Sequence, residues 1–117
     1  MIPRPLYIDR LREFIGKPVI KVITGIRRCG KSAVLELLRD ELGKAGIEPE
    51  EILFINFESF EFSGIRQADQ LYAHVREWRA GRKGKCCILL DEIQEVASWE
   101  KAVNAFLVDF GADVYLT

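Results

Sequence analysis

The sequence predicts an α/β domain with a mostly parallel sheet, and three observations lead to this expectation. Apolar segments of strand length alternate along the chain with amphipathic segments of helix length. A glycine-containing junction joins the first strand to the next helix, and an acidic pair follows the third apolar segment. Strands that alternate with helices pair in parallel through right-handed crossovers. The 117 residues suffice for one core, so we treat 1–117 as one domain.

Each element follows from local patterning. Apolar and β-branched segments predict strands at 19–23, 52–57, 86–90 and from 114 onward. Helical spacing of apolar residues predicts helices at about 5–15, 33–42, 71–78 and 99–107, with 58–64 as a loop. Gly43 or Gly46 should close the second helix, and Ser98 should cap the last. We expect a three-layer α/β/α fold, truncated after its fourth core strand as a piece of a longer protein.

Composition and charge exclude several classes. The chain is 49% hydrophobic and 30% charged with a formal net charge of -1, which gives no support for non-specific nucleic-acid binding. It contains no apolar run of membrane-helix length and no apolar segment of a secretory signal, so we expect a cytoplasmic protein without membrane contact. Three cysteines, two of them adjacent, suit buried reduced thiols better than a disulfide framework or a zinc site.

The junction after the first strand has the spacing of a phosphate-binding loop. It reads Gly25-Ile26-Arg27-Arg28-Cys29-Gly30-Lys31-Ser32 and fits G-x-x-x-x-G-K-[ST]. Gly25 permits a tight turn, and Gly30 permits close approach of backbone N–H groups to phosphate. Lys31 would neutralise β- and γ-phosphate oxygens, and the Ser32 hydroxyl would bind Mg²⁺. The helix start, through Ala33, would direct its positive dipole end at the phosphates.

Three residues inside this loop have two interpretations each. Arg27 and Arg28 either add attraction for phosphate or are exposed arginines that flank it. Cys29 is either an oxidation-prone thiol near a helix N-terminus or a small residue that fits the loop.

The acidic pair Asp91-Glu92 directly follows a strongly apolar strand. Ligand sites of parallel sheets lie beyond the carboxyl ends of the strands, the edge at which the phosphate loop leaves the first strand. Asp91 would hold Mg²⁺, and Glu92 would activate the attacking water. Because a kinase needs no acid to activate water, this pair favours a nucleotide hydrolase. Glu58 and Gln94 either approach the site, Gln94 as a γ-phosphate sensor, or are ordinary loop residues.

Together these segments resemble a prokaryotic family of AAA-type ATPases that pair an N-terminal ATPase domain with a C-terminal domain of unknown function. The resemblance is carried by the runs 23–32, 2–7, 55–58 and 90–94, and by Trp99-Glu100-Lys101. It implies an ASCE-type P-loop fold, in which the strand ending at Asp91 is not adjacent to the strand before the phosphate loop. It also implies that adenine lies near Arg4 to Tyr7. A sensor residue, a fifth strand, a helical lid and an arginine finger would follow Thr117.

Three functions are compatible with these expectations. The first is an ATPase that uses Mg²⁺ and couples hydrolysis to a conformational change in the complete protein. The second is a nucleotide-dependent switch with little turnover, and the third is a DNA-associated motor. A protein partner of unknown identity and homo-oligomerisation of the full-length protein remain open.

Overall fold

The computed structural model describes residues 20–22, 31–82 and 84–116. For 21–22 and 31–37 only the secondary structure is described. The predicted helix at 5–15 and the loop residues Gly25 to Gly30 lie outside the described residues. Thr117 does too.

Strands and helices alternate along the described chain, as the sequence predicts. The strands are β1 (Ile20–Val22), β2 (Ile52–Asn56), β3 (Cys87–Asp91) and β4 (Asp113–Leu116). The helices are α1 (Lys31–Lys44), α2 (Ala68–Arg79) and α3 (Trp99–Phe110). Short 3-10 helices occupy Pro49–Glu51, Phe60–Phe62 and Ile93–Glu95. The second of these lies within the segment predicted as a loop.

The strands form one parallel sheet in the order β1-β4-β3-β2. β4 therefore separates β3 from β1, which is the strand arrangement that the family resemblance implies. Since every pairing is parallel, the carboxyl ends of all these strands lie at one edge of the sheet, which we call the carboxyl edge.

Alternation along the strands divides the buried side chains between the two sheet faces. On one face, Ile88, Leu90 and Val114 belong to a large apolar cluster with residues of α2 and α3. On the other face, Leu89 and Tyr115 cluster with Leu38 and Leu42 of α1. Helices thus cover both faces of the sheet, as expected for a three-layer arrangement.

The end of α1 is a Schellman motif. Ile47 N–H donates to Leu42 O at 3.0 Å, and Gly46 N–H donates to Gly43 O at 3.0 Å. Gly46 has φ +93°, a backbone conformation that favours glycine. Of the two glycines proposed to close the helix, Gly46 does so, while Gly43 lies inside it. Ile47 and Leu42 both pack in the α1 cluster, which adds the apolar contact typical of this motif.

The prediction that Ser98 caps the last helix is correct in position, but the Ser98 side chain does not make the expected capping hydrogen bond. Ser98 does precede α3, but its backbone is left-handed (φ 57°, ψ 33°) and its side chain makes no capping hydrogen bond. The backbone instead connects Ala97 N–H to Arg66 O at 2.9 Å, so a tertiary contact fixes the entry to α3.

None of the described helices is long and apolar enough to cross a membrane.

Candidate functional site

The acidic pair lies at the carboxyl edge. Asp91 is the last residue of β3, and Glu92 follows it at once. The two residues are only 5% and 9% exposed, although each carries a carboxylate. Burial of charged groups requires compensating partners or a ligand, so this edge differs from an ordinary acidic turn.

Asp91 lies on the sheet face that α1 covers. Strand alternation places it on the same side as Cys87 and Leu89, which pack in the α1 cluster. α1 begins at Lys31, as the phosphate-loop hypothesis requires. The helix that carries Lys31, Ser32 and Ala33 in its first turn therefore packs on the face that presents Asp91. The structure does not describe the side chains of those three residues, and their roles stay predictions, as do those of the loop residues 25–30.

Glu92 has a left-handed backbone conformation, with φ 61° and ψ 47°. This conformation is uncommon for a non-glycine residue and is found often at functional sites. It turns the chain sharply from β3 into the 3-10 helix, where Glu95 N–H donates to Glu92 O at 3.1 Å. Ile93 is buried in the large cluster and attaches the turn to the core.

Gln94 belongs to the same turn. Its Nε2 donates a hydrogen bond to Oε2 of Glu92. The sequence left Gln94 as either a γ-phosphate sensor or an ordinary loop residue, and in the structure its side chain contacts the Glu92 carboxylate. Glu58, the other loop residue considered, is exposed in the turn after β2.

Asn56 is a further candidate site residue, to which the sequence reasoning gave no role. It ends β2 in register with Asp91, so both side chains emerge on the same face at the carboxyl edge. Its Oδ1 accepts a hydrogen bond from Glu58 N–H at 2.9 Å, which fixes the turn that leaves β2. The signal in the sequence was a polar residue at the end of an otherwise apolar strand.

Arg66 connects the two loops that follow β2 and β3, and no local pattern pointed to it. Its Nη1 donates to Phe57 O at 3.5 Å and lies 3.9 Å from Oε1 of Glu95. Its carbonyl accepts the hydrogen bond from Ala97 N–H. The ion pair is about half exposed and contributes little free energy by itself. The backbone contact is the stronger link between the loops.

Comparison with known proteins places this chain in a family. A family model described as an AAA domain matches residues 17–117. The chain belongs to this AAA domain family. It is also 42% identical, over all its 117 residues, to an uncharacterized protein of Haemophilus influenzae, of which it spans 29% of the length. No solved structure matches the chain. Membership in the AAA family supports a nucleotide-binding, ATPase-like domain, in agreement with the resemblance found in the sequence.

Proposed function

We propose that this domain binds Mg-ATP at the carboxyl edge of its sheet and that the complete protein hydrolyses the bound ATP. The observation that carries the proposal is the position of Asp91 and Glu92. They are buried acidic residues at the end of β3, at the carboxyl edge of the sheet. β1 ends at the same edge, and the phosphate-loop sequence follows β1 in the chain. Membership in the AAA domain family gives independent support.

Each residue has a distinct proposed role. Backbone N–H groups of residues 25–30 and the Lys31 ammonium hold the β- and γ-phosphates, and the Ser32 hydroxyl and Asp91 bind the metal. A carboxylate such as Asp91 is the hard oxygen ligand that Mg²⁺ prefers, and it lies on the face covered by α1. Bound Mg²⁺ would neutralise charge on the phosphates. Glu92 accepts the proton of the attacking water.

Hydrolysis in the complete protein would be coupled to a conformational change. The loops after β2 and β3 are suited to transmit it, because Arg66 connects the segment that begins at Phe57 to the segment that follows Glu92. A domain that binds ATP but turns over slowly would serve as a nucleotide-dependent switch with the same site.

Binding and turnover test the proposal separately. The 117-residue chain is titrated with a fluorescent ATP analogue in the presence and absence of Mg²⁺, beside Lys31→Ala. Saturable, metal-dependent binding that Lys31→Ala weakens strongly is expected. Lack of binding by folded wild-type chain contradicts the proposed site.

Turnover is then measured in the full-length protein with Glu92→Gln. Removal of a general base lowers the rate by about 10²- to 10⁴-fold, while ATP binding persists. Unchanged turnover would exclude Glu92 as the base. Absence of turnover in a wild-type protein that binds Mg-ATP would favour the switch.

A further inference from the structure

Gln94 contacts the residue that the proposed hydrolysis uses for proton transfer. Its Nε2 donates a hydrogen bond to Oε2 of Glu92. Gln94 is exposed, whereas Glu92 is buried. We infer that Gln94 is a positioning residue that orients the Glu92 carboxylate toward the attacking water. The inference rests on the proposed ATPase function and adds a specific residue to it.

A carboxylate in this position requires orientation. The left-handed backbone of Glu92 fixes where its side chain starts, but the torsion that sets the plane of the carboxylate is intrinsically broad. A hydrogen bond to one oxygen restricts that plane. Small errors in the position of a base are costly, because proton transfer needs a near-ideal approach of the two atoms.

Gln94 can restrict the carboxylate only if its own backbone is held, and the structure shows how it is. It lies in the 3-10 helix Ile93–Glu95, whose first residue is buried in the large cluster. Val96 N–H donates to Ile93 O at 2.9 Å and closes this helix. The next residue, Ala97, donates to Arg66 O. The turn that carries Gln94 is thus attached to the core on one side and to the preceding loop on the other.

The chemistry of an amide fits this role. Gln94 donates a hydrogen bond without adding a charge next to the carboxylate. An ionised glutamate of the same shape has no donor and would repel Glu92. A methionine of similar length keeps the apolar stem but offers no N–H. These two replacements remove the donor while they preserve the size of the side chain.

A direct contact between Gln94 and the γ-phosphate would give a different kinetic result. Loss of a phosphate contact made equally in the ground and transition states raises KM and leaves kcat unchanged. Loss of an interaction that only orients the base lowers kcat and leaves KM unchanged. The two roles therefore separate in steady-state kinetics.

The experiment measures kcat and KM for Mg-ATP in the full-length protein with Gln94→Met, Gln94→Glu, Glu92→Gln and the double variant Glu92→Gln/Gln94→Met. We expect both Gln94 variants to lower kcat by about 10- to 100-fold with KM unchanged. The double variant should be no slower than Glu92→Gln, because residues that act as one unit are not additive.

Gln70→Met is the matched control. Gln70 lies in α2, and its Oε1 accepts hydrogen bonds from Arg66 N–H and Gln67 N–H at 2.9 and 3.0 Å. It makes the same chemical change and loosens the loop after β2, to which Ala97 N–H attaches the turn that carries Gln94, without removing a donor to Glu92. We expect its kcat to equal that of the wild type.

Each contrary result has a separate meaning. A raised KM with unchanged kcat identifies a phosphate contact and overturns the inference. An equal loss of kcat in Gln70→Met attributes the effect to general loosening and also overturns it, as does a further loss in the double variant. Glu92→Gln with wild-type turnover refutes the proposed role of Glu92 itself. If kcat falls in Glu92→Gln but stays at the wild-type value in Gln94→Met, only the proposed role of Gln94 is refuted.

Discussion

Asn56 and Asp91 are register partners at the carboxyl ends of two neighbouring parallel strands. Their side chains emerge on the same face of the sheet, and Asn56 also holds the turn after β2 by accepting a hydrogen bond from Glu58 N–H. The pairing extends past the strand, since Phe57 N–H donates to Asp91 O at 3.0 Å. A change at Asn56 should therefore affect the surroundings of Asp91.

We expect Asn56→Ala to weaken Mg-dependent ATP binding and to lower the free energy of unfolding by only about 0.5 kcal/mol, the low end for one hydrogen bond, because this bond is exposed and water can replace the lost acceptor. Ser59→Ala is the control, because Ser59 Oγ likewise accepts a backbone hydrogen bond, from Glu61 N–H at 3.3 Å, but Ser59 lies beyond the strand end. Nucleotide titrations at several Mg²⁺ concentrations, with urea denaturation, separate the two effects. Equal Mg²⁺ dependence in both variants would contradict a specific role for Asn56.

The two glycines near the end of α1 should respond to alanine in opposite directions. Gly46 has φ +93°, where a Cβ atom is strained, so Gly46→Ala should destabilise the domain by about 1–2 kcal/mol. Gly43 lies within the helix and an added Cβ would meet nothing within 4 Å. Gly43→Ala should stabilise the domain by about 0.5–1 kcal/mol through helix propensity and a less flexible unfolded chain. Urea denaturation monitored by circular dichroism measures both. The same sign for both variants would contradict this account of the helix end.

The sequence predicted the parts of this domain that depend on local pattern. The apolar run before Asp91 predicted β3, and the glycine spacing before Lys31 predicted the start of α1. Two boundary details depend on tertiary contacts and were missed. β3 begins at Cys87 and includes Asp91, because it is in register with β2. Ser98 occupies the N-cap position of α3, but its side chain makes no capping hydrogen bond; its backbone is left-handed, and the preceding Ala97 N–H bonds to Arg66 O.

The same distinction between local patterns and tertiary contacts applies to the candidate site. Asp91 and Glu92 were found because acidic residues after an apolar strand are a local signal. Arg66 was not found, since its contacts join Phe57, Glu95 and Ala97, which are distant in sequence. Contacts between residues distant in sequence produce no periodicity or spacing from which they could be predicted.

A buried polar cluster on the α1 face should contribute to stability. Tyr115 Oη donates to Asp113 Oδ2 at 2.7 Å, and the Cys87 thiol donates to the same oxygen at 3.7 Å. Tyr115→Phe removes the shorter bond and leaves a buried carboxylate less well satisfied, which should cost about 1–3 kcal/mol.

Tyr72→Phe is the matched control for this cluster. Tyr72 Oη donates to Asp109 Oδ2 at 2.6 Å, but this pair is exposed, so water replaces the lost partner. We expect little change in the urea midpoint of Tyr72→Phe and a clear decrease in that of Tyr115→Phe. Equal decreases in the two urea midpoints would show that burial does not increase the contribution of the Tyr115–Asp113 hydrogen bond to stability.

Alkaline pH should destabilise the domain through the same cluster. Burial, followed by the adjacent Asp113 carboxylate, raises the pKa of the Cys87 thiol from 9.0 to about 12. The same causes, burial first, raise the pKa of Tyr115. A group with a raised pKa in the folded state stabilises the fold fully below its unfolded pKa and loses that contribution as pH rises toward the folded pKa. For Cys87 this window runs from about pH 9 to about pH 12.

Urea denaturation of wild type and Cys87→Ala at pH 7 and pH 10 tests this sign. The wild type should lose more stability between the two pH values than Cys87→Ala, because only the wild-type chain gains the Cys87 thiolate on unfolding at pH 10, whereas the buried Cys86 is present in both proteins. Comparing the two proteins cancels the titration of surface lysines. Native Cys87 should also react slowly with iodoacetamide at pH 8, since the thiolate is the reactive form and the thiol is buried. Equal pH dependence in both proteins, or labelling of native Cys87 as rapid as in urea, would mean that this thiol is accessible and ionises near its ordinary pKa.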